Sequence, residues 1–154
     1  MTGFEVTLRR LAEAGRKFEI PWALVGGIAV SVRTEPRFTR DIDLAVAVSS
    51  DREATGLLQP LDGLGYRVSA LIMQERTGRL AAARLTGKGG EDPPVVDLLC
   101  ASSGIEPEIV AAARDIAILP GVHLPVASAE HLLATKLLAF DESRVQEEPM
   151  RLRS

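Results

Sequence analysis

Asp41 and Asp43, one apolar residue apart, head the run Asp41-Ile-Asp-Leu-Ala-Val-Ala-Val48. Side chains alternate along a strand, so both carboxylates are expected on one face, with Cα atoms about 6.5 Å apart. Ile42 and Leu44 then point the other way, into a core. Strands disfavour Asp, and a carboxylate withdrawn from water is costly without a partner. A hard cation relieves that cost. Mg²⁺, or Mn²⁺ in its place, takes one or two carboxylates, keeps some water and fills its remaining positions with phosphate oxygens. Two such ions can activate an attacking hydroxyl and stabilise a leaving pyrophosphate. Asp97, a lone acid in the apolar run Val95-Val-Asp-Leu-Leu99, is the candidate third ligand. It joins the pair if its strand lies beside the first.

Gly26-Gly27 supplies the complementary half. It follows the apolar Trp22-Ala-Leu-Val25 and precedes the helix-like Ile28 to Val32. A residue without Cβ lets backbone approach a ligand, and a helix N-terminus points N–H groups at anions. Ser31, one turn in, offers a hydroxyl. Arg33, Arg37 and Arg40 place positive charge in the connection, and Thr39 stands two residues before Asp41. Each feature also has a plainer reading. The glycines make a turn, Asp-x-Asp makes a solvated strand end, an arginine satisfies Asp97, and the basic residues face water. Their conjunction favours a phosphate and cation site.

These residues need elements to hold them. Phe4, Leu8, Leu11 and Ala12 mark an amphipathic helix over 4–18, with Gly15 near its end. Strands are predicted at 22–25 and 41–48, and a helix from Ser50 to about Leu64. Two strands follow at 66–73 and 79–85 around Thr77-Gly78, then one at 95–100 after the Gly- and Pro-rich stretch 87–94. A helix over 106–114, a hairpin of 115–119 with 122–126, and a helix opening at Ser128 complete the chain. Helices interleaved with strands predict an α/β (α+β) class with a mixed β-sheet flanked by helices. Residues 1–140 are expected to form one domain, and the polar tail 141–154 to fray.

The chain has 154 residues, of which 46% are apolar and 25% charged, values typical of a soluble globular domain. Its net charge of −3 argues against strong nonspecific nucleic-acid binding. The single cysteine, Cys100, reads as a small buried hydrophobe rather than a reactive thiol. His123 and His131 lack ligand-like spacing and read as structural. No signal peptide or membrane-length apolar run is evident, so no membrane association and a cytoplasmic location are expected.

Gly-Gly, a spacer, Asp-h-Asp-h (h apolar) and a later strand Asp together resemble the polymerase-beta-type nucleotidyltransferase superfamily. Within it, Val25-Gly-Gly-Ile-Ala29 and Arg37-Phe-Thr39-Arg-Asp41-Ile-Asp43 look most like the AbiEii group, which includes toxins of bacterial toxin–antitoxin systems. The resemblance covers residues 20 to about 140 and implies a nucleotidyltransferase fold. It implies Asp41, Asp43 and Asp97 as metal and catalytic residues, with Mg²⁺ or Mn²⁺ as cofactor. Gly26 and Gly27 would be the triphosphate-binding turn, with Ser31, Arg37 and Thr39 beside the nucleotide. Glu130-His-Leu132-Leu-Ala-Thr-Lys136 is similar to the group's late Lys helix, where Lys136 would touch phosphate or help activate the nucleophile. A snorkelling surface lysine is the other reading. The implied reaction moves a nucleoside monophosphate from an NTP to a hydroxyl of a tRNA end, a protein or a small molecule. An antitoxin is the implied protein partner. After Phe140 the sequence departs from the group's Arg-x-x-x-Asp-x-x-Asp segment: Arg144 is roughly placed, the Asp pair is missing and Pro149 opposes a helix. That departure makes a catalytically inactive nucleotide-binding or partner-binding protein the alternative.

Overall fold

The computed structural model describes residues 3–33, 41–87 and 94–138. Seven strands form one mixed sheet in the order β3-β4-β5-β2-β1-β7-β6. The strands are β1 (Trp22–Val25), β2 (Asp41–Val46), β3 (Tyr66–Met73), β4 (Leu80–Gly87), β5 (Val95–Leu99), β6 (Arg114–Leu119) and β7 (Val122–Val126). The helices are α1 (Gly3–Lys17), α2 (Gly26–Arg33), α3 (Asp51–Gly63) and α4 (Glu106–Ala112), followed by helical residues 129–138. The expected class and nearly every element are present.

The departures have local causes. The expected strand over 41–48 ends at Val46: Ala47 N–H still donates to the Pro21 carbonyl at 2.8 Å in the β1–β2 register, but Pro21 has no N–H to return the bond. The α2 helix starts at Gly26 itself rather than at Ile28. Gly15 lies inside α1, where a Cβ would come within 2.7 Å of the Trp22 indole nitrogen, so the small residue lets the helix pack on β1. The α3 start is capped as its sequence suggests. Glu53 N–H donates to the Ser50 hydroxyl, while the Glu53 carboxylate accepts from Ser49 N–H and its hydroxyl, both at 2.9 Å.

The sheet centre is apolar and buried. Trp22, Leu24, Ile42, Leu44, Val46, Val96 and Leu98 are all buried, with Leu8 and Leu11 of α1 in the same core. With so few aromatics, Leu, Val and Ala fill the space. Cys100 is part of this core, and burial pushes its thiol up to about 11, which rules out an activated thiolate at neutral pH. His123 lies 3.7 Å from Asp115 across the β6–β7 hairpin. His131 N–H donates to the Ser128 hydroxyl at 3.2 Å, so Ser128 caps the last helix. Both histidines fit the structural role.

Glu106 opens α4 and is 2% exposed. Its carboxylate accepts from Ser103 N–H at 2.9 Å, from Gly104 N–H at 3.2 Å and from the Ser103 hydroxyl. It therefore ties the end of the β5 connection to the helix that packs on β1 and β2. Glu106→Ala strands these donors and is expected to cost about 2–3 kcal/mol. Urea denaturation would show the loss as a lower midpoint with an unchanged slope.

Candidate functional site

β1 runs antiparallel to β2 with Val25 opposite Asp43, so the chain leaves β1 beside that aspartate. β5 runs parallel to β2 and sets Asp97 directly opposite Asp43. β4 runs antiparallel to β5 and sets Arg84 opposite Asp97. Directly paired residues share a face of the sheet, so Asp43, Asp97 and Arg84 form a row across three strands, with Asp41 two residues along on the same face. Ile42 and Leu44 are fully buried on the other face, as the alternation predicts.

Gly26 joins this row through its bare Cα. Its φ is +73°, in the left-handed region that glycine adopts without strain. A Cβ there would overlap the Asp43 Oδ2 and stand 3.0 Å from its Cγ. Asp43 thus lies against the first residue of α2, close to the helix N-terminus. Gly27 follows in the first turn, and the Ser31 hydroxyl donates to its carbonyl at 2.9 Å, tying the glycine turn to the helix body.

The electrostatics single out Asp43. Burial raises its pKa from 3.8 to about 6, and the neighbouring charges of Asp97 and Asp41 push the same way, while Arg84 offsets them in part. Asp97 is held differently. The Arg84 guanidinium grips it with two parallel bonds, Nε to Oδ1 at 3.0 Å and Nη2 to Oδ2 at 3.1 Å. The arginine reading of Asp97 is therefore realised, although Arg84 is 46% exposed rather than buried. Arg84 is the site residue the sequence reading missed. Its one signal in the sequence was that it is the single charged position in Leu80-Ala-Ala-Ala-Arg-Leu85.

Lys136 is exposed on helical residues 129–138. Arg37, Thr39 and Arg40 lie outside the described residues, as does the tail expected to fray, and the Arg33 side chain is likewise not described. Among the described residues, no three His, Cys, Asp or Glu side chains are grouped closely enough to enclose a metal ion. The donor set still suits a hard cation of the kind that needs only one or two carboxylates and completes its shell from phosphate and water. Asp41 and Asp43 offer oxygens on one face, and Asp43 is raised first by burial and then by the two carboxylates beside it, both of which a bound cation would offset. The arrangement can hold a cation beside an anion-binding helix start, the chemistry of a nucleoside triphosphate site. No described helix is long and apolar enough to cross a membrane.

Three solved structures share the fold. A Thermotoga maritima protein assigned as a nucleotidyltransferase superposes with a TM-score of 0.66 at 14% identity, covering 96% of this chain and 91% of that one. The lincosamide antibiotic adenylyltransferase LnuA, bound to lincomycin, gives a TM-score of 0.52 at 16% identity over 80% of each chain. The antibiotic-resistance factor ANT(2'')-Ia gives 0.53 at 18% identity, covering 97% of this chain and 92% of that one. At these identities the likeness establishes the fold. No curated protein matches the chain by sequence. A family model described as "Nucleotidyl transferase AbiEii toxin, Type IV TA system" matches residues 9–151, beyond both ends of the segment over which the motifs are legible. With that match over most of its length, the chain belongs to the AbiEii family of nucleotidyltransferase toxins.

Proposed function

We propose that the protein transfers a nucleoside monophosphate from an NTP to a hydroxyl acceptor in a Mg²⁺- or Mn²⁺-dependent reaction, as the toxin of a pair with an antitoxin. The observation that carries this is the position of Asp43, wedged between Asp41, Asp97 and the bare Cα of Gly26. Asp41 and Asp43 hold the divalent cation, which when bound neutralises triphosphate charge and polarises the reacting oxygens. Gly26 and Gly27 turn backbone N–H groups of α2 toward the β- and γ-phosphates. Ser31 fixes that turn through its bond to the Gly27 carbonyl. Lys136 contacts phosphate, and Arg37 and Thr39 are assigned to the nucleotide on the sequence pattern alone.

In the reaction the acceptor oxygen bonds to Pα and the Pα–O bond to the β-phosphate breaks. Pyrophosphate leaves with that electron pair, and the acceptor proton passes to Asp97. Positioning and electrostatics supply most of the acceleration, since little else is asked of the protein. The acceptor is a tRNA end, a protein or a small molecule.

Titration calorimetry with ATP, GTP, CTP and UTP tests the site. Binding of at least one NTP is expected with Mg²⁺ and not with chelator, and Asp43→Asn is expected to lose it. Transfer from α-labelled NTP to RNA, to the protein complement of a host extract or to small hydroxyl compounds then names the acceptor class. Metal-dependent binding without transfer to any of these would instead support the noncatalytic nucleotide- or partner-binding reading. NTP binding indifferent to both Mg²⁺ and Asp43 would contradict the site.

A further inference from the structure

Asp97 cannot serve a metal and Arg84 equally well at once. Both of its oxygens are taken by the guanidinium, in the bidentate fork geometry that suits carboxylates best. The β4–β5 register sets the two residues opposite each other, so the pair is built into the sheet rather than made by a wandering side chain. Without Arg84, two carboxylates would face each other across β2 and β5, with a third close by on the same face. Like charges directly opposite on neighbouring strands are destabilising. Arg84 feels Asp41 and Asp43 as well as Asp97, and so serves as counter-charge to the whole row.

We propose that Arg84 is a positioning residue that stands in for the divalent cation. In the metal-free protein it neutralises the carboxylate row and keeps Asp97 away from the metal position. When the cation arrives, Asp97 exchanges partners, and the freed guanidinium remains beside the site as a donor for a phosphate oxygen. This rests on the metal-dependent reading above. The exposure of Arg84 makes the exchange feasible, because a guanidinium in contact with water gives up a carboxylate at small cost. Arg84 thereby sets how tightly the empty site takes up its metal.

The test is Mn²⁺ binding by the full chain without nucleotide, read from the electron paramagnetic resonance signal of free Mn²⁺. Removing the competing fork by Arg84→Gln is expected to tighten binding roughly threefold to fivefold. Arg84→Lys, a point charge without the fork, should fall between. Because most of the effect runs through Asp97, Arg84→Gln should tighten binding clearly less in the Asp97→Asn background than in the parent. A thermal melt gives a second readout: Arg84→Gln should be less stable than the parent without metal and recover most of the difference in Mn²⁺.

Unchanged or weaker Mn²⁺ binding by Arg84→Gln would overturn the proposal, as would a gain that persists undiminished in the Asp97→Asn background. A purely structural ion pair would lower the melt while leaving Mn²⁺ affinity alone. Failure of the underlying site looks different: Mn²⁺ binding that Asp43→Asn leaves intact, or no binding by any variant, including Arg84→Gln.

Discussion

Asp43→Asn is expected to reduce nucleotidyl transfer roughly 10³-fold or more, the scale of losing a principal charge from a preorganised site, while making the metal-free protein more stable. The two effects share a cause. Burial and two neighbouring carboxylates raise the pKa of Asp43 to about 6 in the folded chain. The folded state then holds this proton more tightly than the unfolded chain does. The group's contribution to stability is greatest below about pH 4 and is lost as pH rises through about 6. A shift of this size corresponds to about 3 kcal/mol. Remaining solvent contact reduces the expected gain of the Asn variant near pH 7.5 to about 1–2 kcal/mol, or about 3–6 °C in Tm. Denaturant melts from pH 4 to 8 check this: the parent should weaken across the range and the variant should be flatter. Saturating Mg²⁺ with NTP should narrow or reverse the difference, because only the parent has the charge that the ligands bind.

Gly26→Ala carries the second large effect, from the opposite side of the same contact. An alanine at φ +73° costs about 1–2 kcal/mol in backbone strain alone. Its Cβ would also occupy the place of the Asp43 carboxylate, with backbone on one side and a sheet residue on the other. Something must move, and the side chain of Asp43 is the softer party. The expected total is about 2–4 kcal/mol of lost stability, with transfer down roughly 10²-fold or more because the carboxylate is displaced. Circular dichroism melts and initial rates measured on the same preparation separate the two. An alanine variant with parental activity would show that the close approach of glycine and aspartate has no part in the chemistry.

What could be read in the sequence was local. Asp41, Asp43, Gly26 and Gly27 lie on two consecutive elements, and strand alternation alone sets both aspartates on one face. Asp97 was legible as an anomaly, a charge inside an apolar strand, but its place opposite Asp43 depends on β5 pairing parallel to β2. Two strands and a helix intervene in the chain, and periodicity says nothing about such pairing. Arg84 was less legible still. Its register against Asp97 follows from how β4 sits between β3 and β5, and the β3–β4 ladder shifts register twice, between Val68 and Ala70 and between Ile72 and Met73. Glu106 was seen as the start of a helix, but not as the carboxylate that gathers the preceding turn. Its partners are two and three residues away, and only the backbone path of that turn reveals them.

The nucleotide and metal positions are tested by a crystal structure of the chain with Mn²⁺ and a nonhydrolysable NTP, its metal located by anomalous scattering. The anomalous peak is expected in contact with the carboxylates of Asp41 and Asp43, and the triphosphate against the backbone of Gly26 and Gly27. A metal bound elsewhere, or a triphosphate seated away from that glycine turn, would contradict the proposed site.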